Sequence, residues 1–165
     1  MPEMDRPVRK TTRLKEYDYS QPGYYFVTIC TKERKCLLSN IVGGDAHIAP
    51  YARLTAIGQV VEKYTKTIPG IDLYVIMPNH VHMILMISAK TPTEGPMWAS
   101  APTDVSISDQ IRSWKTLISK ELGESIWQRS FYDHVIRDEQ DYIVKAQYIL
   151  DNPARWQKDD YYRAP

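Results

Sequence analysis

Two histidines stand one residue apart in one of the most hydrophobic segments of the chain, "YVIMPNHVHMILMI". Side chains alternate between the faces of a β-strand, so a strand here would place His80 and His82 on the same face. Two such imidazoles can bind a divalent metal ion through their ring nitrogens. Two ligands do not complete a metal site, however, and the alternative is a pair of partly buried histidines satisfied by backbone carbonyls.

A predicted helix near the C-terminus carries residues that could complete this site. Helical spacing over residues 138–151 places Tyr148 one turn before Asn152. The pattern predicts that both lie opposite the buried apolar arc, which comprises Tyr142, Ile143, Ala146, Ile149 and Leu150. An amide oxygen can bind a hard cation, and a tyrosine beside it could act as a nucleophile. The alternative is a surface tyrosine near the end of a helix.

The hydrophobic patterns also predict the elements that must position these residues. Strands are expected at 24–31, 71–77, 79–87 and 131–137, and helices at 53–67 and 138–151. A further helix is expected to start at Ser106 or Ser108 and to end at Gly123. The stretch "NIVGGDAHIAPYA" is expected to be irregular, and residues 89–104 to form a loop. The order β-α-β-β-α-β-α indicates an α+β, ferredoxin-like (RRM-like) βαββαβ antiparallel sheet with an added C-terminal helix.

Composition narrows the class of protein. The chain has 165 residues, of which 43% are hydrophobic and 25% charged, as in an ordinary globular domain. No apolar run approaches the roughly 20 residues of a membrane-spanning helix, and the first residues lack the apolar core of a signal peptide. We therefore expect a cytoplasmic protein with no membrane partner. Cys30 and Cys36 have neither zinc-site nor disulfide-framework spacing and are expected to be reduced thiols.

Three motifs in a fixed order, "PNHVH", "WQRSFYDHVIR" and "YILDNPARW", resemble a known family. The family is that of the HUH (His-hydrophobic-His) single-tyrosine transposases, also called IS200-like, and the closest resemblance is to the REP-associated tyrosine transposases of bacteria. The resemblance covers residues 23–156 and leaves 1–22 as a basic N-terminal arm and 157–165 as a C-terminal tail. Many transposases of the wider family carry glutamine where this chain has Asn152, and the "YIxxNP" pattern of the REP-associated branch carries asparagine.

The resemblance implies a function and a set of roles. His80 and His82 would coordinate Mg²⁺ or Mn²⁺, Asn152 would complete the metal site, and Tyr148 on the added helix would be the catalytic nucleophile. The implied activity is cleavage and strand transfer of single-stranded DNA at hairpin-forming repeats, through a 5′-phosphotyrosine intermediate. The sequence leaves open the target DNA and whether a homodimer exchanges its tyrosines.

Basic residues suggest where DNA could be held. The net charge is only +1, so a basic surface must come from local clustering. The candidates for phosphate contacts are Arg6, Arg9, Lys10 and Arg13 in the arm and Arg112 and Lys115 on the second predicted helix. For the arm, the alternative is a solvated tail.

Two other functions remain open from the sequence. One is a non-catalytic nucleic-acid-binding domain, because the βαββαβ sheet also serves RNA recognition, although the strands lack the aromatic pattern of that class. The other is a metal-dependent phosphodiesterase that uses water, with Tyr148 only structural. A covalent protein–DNA adduct would distinguish transposase chemistry from both.

Overall fold

The core of the fold is a four-stranded antiparallel sheet. The computed structural model describes residues 17–88 and 106–164. Its strands, in chain order, are β1 (Gly23–Cys30), β2 (Ser39–Val42), β3 (Tyr51–Leu54), β4 (Ile71–Ile76), β5 (His80–Ile87) and β6 (Tyr132–Ile136). The helices are α1 (Ala56–Thr65), α2 (Ile107–Leu122) and α3 (Glu139–Asp151), and short 3-10 turns lie at Lys32–Arg34 and Pro153–Lys158.

The sheet has the strand order β4-β5-β1-β6, and every neighbouring pair is antiparallel. The first and last strands of the sequence therefore lie side by side, and β5 separates β1 from β4. This is the split arrangement of a ferredoxin-like fold, with α3 added after the last strand. The α+β fold class predicted from the sequence is confirmed.

Each face of the sheet is covered by different helices. α1 and α2 cover one face, where the large core is formed by alternate residues of β1 and β5 together with the apolar sides of both helices. α3 contacts β4 and β5, and it covers the other face with a much smaller apolar cluster of Phe26, Ile84 and Ile149. The strand alternation that separates these two faces also decides which residues of β5 face α3.

Local sequence signals set the helix ends. The side chains of Thr55, Ser106 and Asp138 cap the three helices by accepting hydrogen bonds from backbone N–H groups three residues ahead. Gly123 ends α2 in a left-handed conformation with φ of 76°, which glycine adopts without steric cost. Of the two predicted starts of α2, the structure selects Ser106 over Ser108, and the predicted end at Gly123 is confirmed.

Two predictions about residues 40–67 are wrong. The stretch expected to be irregular contains a two-stranded antiparallel ribbon, β2 with β3. The first helix starts at Ala56 instead of residue 53, because Arg53 and Leu54 pair with β2 and Thr55 then caps the helix. Leu54 matches the helical spacing by coincidence, and its pairing with Ser39 is a longer-range contact that periodicity cannot reveal.

The first described residues pack against the domain. Tyr17 and Tyr19 pack against the large core near Tyr25, so the end of the predicted arm contacts the sheet. The four basic arm residues named above and the predicted loop at 89–104 lie outside the described residues. Within the described ranges, no helix combines the length and apolarity needed to cross a membrane.

Candidate metal and tyrosine site

The two histidines lie at the start of β5, in the centre of the sheet. His80 pairs with Cys30 at the end of β1, and His82 pairs with Thr28. Both side chains are buried, with exposed fractions of 0% and 1%, and their ring centroids are 4.4 Å apart. The period-two spacing therefore brings the two imidazoles together on one face, as the sequence predicts.

Hydrogen bonds hold both rings by the same nitrogen. His80 Nδ1 is 2.8 Å from Asn79 Oδ1, and His82 Nδ1 is 2.7 Å from Thr28 Oγ1. An amide oxygen only accepts, so Nδ1 of His80 carries the proton, and the Thr28 hydroxyl can accept from His82 in the same way. This tautomer leaves a lone pair on each Nε2. Both Nε2 atoms are buried and have no hydrogen-bond partner.

The environment keeps both rings neutral. Burial, and next the positive charge of Arg34, lower the pKa of His80 to about 3. Burial and the neighbouring His80 lower the pKa of His82 well below its usual value. Neutral imidazole with a free Nε2 lone pair is the form that binds a metal ion.

α3 brings Tyr148 and Asn152 to the histidines. The half-buried Tyr148 ring lies edge-on, 5.1 Å from the His82 ring and 6.0 Å from the Phe26 ring. Asn152, one turn later, is only 1% exposed, and its Oδ1 atom is buried without a hydrogen-bond partner. The Asn152 side chain interacts with both His80 and Tyr148, so the four candidate residues for chemistry and metal binding meet at one place within a single chain.

The predicted faces of α3 are wrong in one respect. Two residues of the expected buried arc, Ile143 and Leu150, are 50% and 62% exposed, whereas Asn152 is buried. The side of α3 that meets the sheet lies between the two predicted faces and includes Tyr148, Ile149 and Asn152. The physical reason is that α3 covers a polar part of the sheet, so burial there selects residues that suit the histidines.

Asp159 joins the same site, although no sequence pattern indicated it. Its side chain is 2% exposed, and its Oδ2 atom lies 3.9 Å from His80 Nε2. The residue follows the Pro153–Lys158 turn, in a segment that the sequence suggested was a tail. No local periodicity relates this position to β5. Its carboxylate reaches the site because the turn folds the chain back across the end of the sheet.

The chemistry of this cluster suits a divalent cation. Ligand atoms of His80, His82 and Asp159 all lie within 4.8 Å of one another. The Asn152 side chain interacts with both His80 and Asp159, and its Oδ1 atom is buried without a hydrogen-bond partner. Buried polar atoms normally have hydrogen-bond partners, so three unpartnered atoms at one place need an explanation. Imidazole nitrogens with amide and carboxylate oxygens fit Mg²⁺ or Mn²⁺ as ligands.

Charge around Tyr148 opposes its ionisation. Burial, followed by the negative charge of Asp159, raises the pKa of the Tyr148 phenol, and the Asn152 side chain partly opposes that rise. Lys145 lies one turn earlier, with Nζ 5.1 Å from the centre of the Phe26 ring. After burial and His80, the positive charge of Lys145 also lowers the pKa of His82. A bound cation would favour the phenolate.

The two other described candidates, Arg112 and Lys115, lie away from this site on α2. Arg112 is exposed and pairs with Asp109 at 3.2 Å, and Lys115 Nζ donates to the Gln128 carbonyl at 2.9 Å. Both line an open groove of about 650 Å³, together with Lys120, Arg129 and Glu124. The groove is on the α2 side of the sheet, so the structure does not bring these residues to the histidines.

The fold and the site define a ferredoxin-like domain in which a tyrosine helix faces a His-x-His strand. An uncharacterized protein of Haemophilus influenzae is 32% identical over 173 residues, 93% of each chain. Another protein of that organism, provisionally named a REP-associated tyrosine transposase, is 26% identical and covers 84% of this chain and 74% of its own. The REP-associated tyrosine transposase of Escherichia coli is 30% identical over 52% of this chain and 44% of its own.

A solved structure shares the fold. It is that of a REP-associated tyrosine transposase bound to a REP hairpin, with a TM-score of 0.57 and 22% identity over 86% of this chain and 74% of that chain. No protein-family model matches the chain. The chain is therefore similar in sequence to REP-associated tyrosine transposases, and it shares the fold of a solved one.

Proposed function

We propose that the protein cleaves and rejoins single-stranded DNA at hairpin-forming repeats, with Tyr148 as the nucleophile and a divalent metal ion at His80, His82 and Asn152. The observation that carries this proposal is the meeting of a half-buried tyrosine with three unpartnered buried ligand atoms. A transposase relative whose structure contains a REP hairpin supports DNA as the substrate.

The proposed reaction starts at the Tyr148 phenol. Tyr148 Oη attacks the phosphorus of a phosphodiester, the bond from phosphorus to the 3′ oxygen breaks, and a 5′-phosphotyrosine forms. The phenol loses its proton and the departing 3′ oxygen gains one, so the step is balanced without a nucleotide cofactor. Attack by a 3′ hydroxyl on the phosphotyrosine reverses the step and joins the strands.

The residues around the phenol have distinct roles. A bound Mg²⁺ or Mn²⁺ would polarise the phosphoryl oxygens and help hold the scissile phosphate. Asn79 and Thr28 orient the two imidazoles through Nδ1. Lys145, one turn before Tyr148 on α3, is proposed to favour the phenolate through its positive charge. The Phe26 ring contacts both His82 and Tyr148 and limits the movement of both rings.

DNA phosphates would be held in two places. The α2 groove combines Arg112 and Lys115 with Lys120 and Arg129 against one acidic side chain, Glu124. Its Lys115 end contacts Gln128, whose backbone N–H donates to the Cys30 carbonyl, opposite His80 in the sheet.

The arm residues Arg6, Arg9, Lys10 and Arg13 are proposed as further phosphate contacts. Such contacts contribute affinity that falls with salt concentration, and they read no base sequence. Deleting residues 1–15 should weaken binding and flatten its salt dependence, while an unchanged affinity would remove the arm from the proposal.

The test of the nucleophile is a covalent-adduct assay with single-stranded repeat DNA and Mn²⁺. The wild-type protein should give a DNA adduct that resists denaturation, and Tyr148→Phe should give none at any metal concentration. Tyr132→Phe removes an exposed hydroxyl from β6 and serves as the matched control, with an unchanged adduct yield. An adduct with Tyr148→Phe would assign the nucleophile elsewhere, with Tyr142 on the same helix examined first.

The same assay separates the rival functions. A non-catalytic binding domain would retain the DNA but never cut it. A water-using phosphodiesterase would cut the DNA with both the wild-type protein and Tyr148→Phe, and would leave no adduct.

A further inference from the structure

We propose that Asp159 is a further ligand of the metal ion, so that the segment after α3 forms part of the active centre. This inference rests on the proposed function, because it concerns the same site. It adds a carboxylate, supplied by the residues after the 3-10 turn, to the two imidazoles and the amide oxygen.

The geometry favours a shared ion over a direct contact. His80 Nε2 and Asp159 Oδ2 are 3.9 Å apart, and both side chains are almost completely buried. This distance is too long for a hydrogen bond, in which the two atoms would lie at about 2.7–3.2 Å. Ligand atoms that are each about 2.1 Å from one ion lie about 3 to 4 Å from each other. The observed separation is in this range.

The two carboxylate oxygens of Asp159 have different surroundings. Oδ1 accepts a hydrogen bond of 2.7 Å from the Tyr161 backbone N–H. This bond orients the carboxylate and leaves Oδ2 as the atom nearer His80. Oδ1 is thus used for positioning. The Asn152 side chain also donates a hydrogen bond to this carboxylate, which holds the two proposed oxygen ligands next to each other.

Charge supplies an independent reason. The two neutral imidazoles and the Asn152 amide provide no negative charge to offset a divalent ion in a buried site. Mg²⁺ is normally held in proteins through at least one carboxylate. Asp159 is the acidic member of the metal-ligand group found among the described residues.

The segment that carries Asp159 is anchored to the residues that hold His80. The Asn79 side chain accepts from His80 with Oδ1 and donates through Nδ2 to the Tyr161 carbonyl at 2.8 Å. The centroid of the Tyr161 ring lies 4.7 Å from that of the His80 ring. The Arg34 guanidinium lies 5.0 Å from the centroid of the same Tyr161 ring. Asn79 therefore positions His80 directly, and it positions Asp159 through the Tyr161 backbone, whose N–H binds the Asp159 carboxylate.

The backbone next to this anchor is strained. Glu33 and Arg34 both have φ of 54°, in the left-handed region that residues with side chains rarely adopt. The Arg34 carbonyl accepts the other hydrogen bond from Asn79 Nδ2, at 3.2 Å. Strain of this kind persists where surrounding contacts determine the conformation, and it is concentrated at functional sites.

The experiment is a calorimetric titration of the full-length protein with Mn²⁺ in the absence of DNA. Asp159→Asn should weaken Mn²⁺ binding about 10- to 100-fold, the range seen when metal-site residues are removed. Asp160→Asn makes the same charge change at the exposed neighbouring position and should alter the affinity by less than about twofold. Asp159→Asn with the affinity of the wild-type protein would overturn the proposal.

A second pair of variants tests ligation directly, in case Asp159→Asn disturbs folding. Thiolate prefers soft metals, so Asp159→Cys should raise the ratio of Cd²⁺ to Mn²⁺ affinity about tenfold or more, whereas Asp160→Cys should leave it unchanged. Equal ratios in the two cysteine variants would overturn the proposal, because a residue that only positions the segment would not change metal preference.

The outcomes distinguish this inference from the proposed function. If the wild-type protein binds Mn²⁺ and Asp159→Asn binds it weakly, Asp159 is a ligand even where no DNA adduct forms, and then only the transposase chemistry fails. If an adduct forms and Asp159→Asn keeps full Mn²⁺ affinity, the proposed function stands and Asp159 is not a ligand. A wild-type protein that takes up no Mn²⁺ would overturn both the Asp159 assignment and the metal part of the proposed function.

Discussion

The two faces of the sheet come from the same strands but differ in what they bury. In β5, Val81, Met83 and Leu85 point towards α1 and α2, and all three are fully buried among apolar neighbours. His80 and His82 alternate with them and point towards α3, where the fully apolar cluster has only three buried members. One face is a hydrophobic core, and the other is a polar site under a helix.

The two faces therefore contribute to stability with opposite signs: apolar burial stabilises the fold, and buried unpartnered polar atoms destabilise it. Apolar burial contributes roughly 25 cal/mol per Å² to folding, and most of it lies on the α1 and α2 face. On the α3 face, His80, His82 and Asn152 each bury an unpartnered polar atom, which costs about 1–3 kcal/mol per atom. A bound cation would offset that cost, so we expect the effect of mutations on the α3 face to depend on metal and the effect of those on the α1 and α2 face not to.

The largest stability effect should come from the apolar face. Met83→Ala removes a fully buried side chain of β5 and should lower the free energy of unfolding by about 2–5 kcal/mol, with or without Mn²⁺. Urea unfolding of both proteins in a metal chelator measures the difference. A loss below about 1 kcal/mol would mean that this core is less tightly packed than the structure indicates.

The next largest effect should be the metal's contribution on the α3 face. At a free Mn²⁺ concentration about 100 times the dissociation constant, the wild-type protein should gain about 2.7 kcal/mol of stability. The double variant His80→Ala/His82→Ala should gain almost nothing, which thermal melting with and without Mn²⁺ would reveal. An equal gain in both proteins would place the ion elsewhere.

A smaller effect should follow from releasing α3 from β4. The Tyr142 hydroxyl donates to Asp72 Oδ2 at 2.6 Å, the contact that ties the first half of α3 to the edge strand. Tyr142→Phe should cost about 1 kcal/mol in unfolding. It should slow formation of the DNA adduct without abolishing it, since Tyr148 remains. Loss of all adduct with Tyr142→Phe would instead favour Tyr142 as the nucleophile.

The smallest effect should depend on pH. His134 Nε2 lies 2.8 Å from Asp141 Oδ2, linking β6 to the start of α3. Burial raises the pKa of Asp141, but hydrogen bonds from His134 and the Arg137 N–H outweigh it and leave the pKa below its ordinary value. The stabilisation is therefore present above the ordinary value of about 3.9 and is lost as the pH falls through the lower folded value.

Asp141→Asn should accordingly reduce stability by less than about 1 kcal/mol at pH 7, because the pair is partly exposed to solvent. The difference from the wild-type protein should shrink as the pH approaches 3. Chemical denaturation at pH 7 and pH 3 measures both values. A difference that grows towards low pH would show that the ionised carboxylate does not stabilise the start of α3.

The elements around the site could be predicted because their signals are local. Alternation in β5 places His80 and His82 on one face, and helical spacing places Tyr148 one turn from Asn152. Capping residues and Gly123 mark helix ends within a few residues of the chain. Each of these properties depends on neighbours in the sequence, so it is visible without the folded structure.

Only the tertiary structure decided which side of α3 meets the sheet, that β2 and β3 form a ribbon, and that Asp159 reaches His80. These features depend on residues far apart in sequence, and the site buries polar groups where helical amphipathicity predicts apolar ones. The sequence alone determined the His-x-His strand, the tyrosine helix and the order of the elements. The contacts of the folded chain bring these elements together with the Asp159 carboxylate. No periodic pattern predicts that contact, because the position of Asp159 depends on the turn after α3.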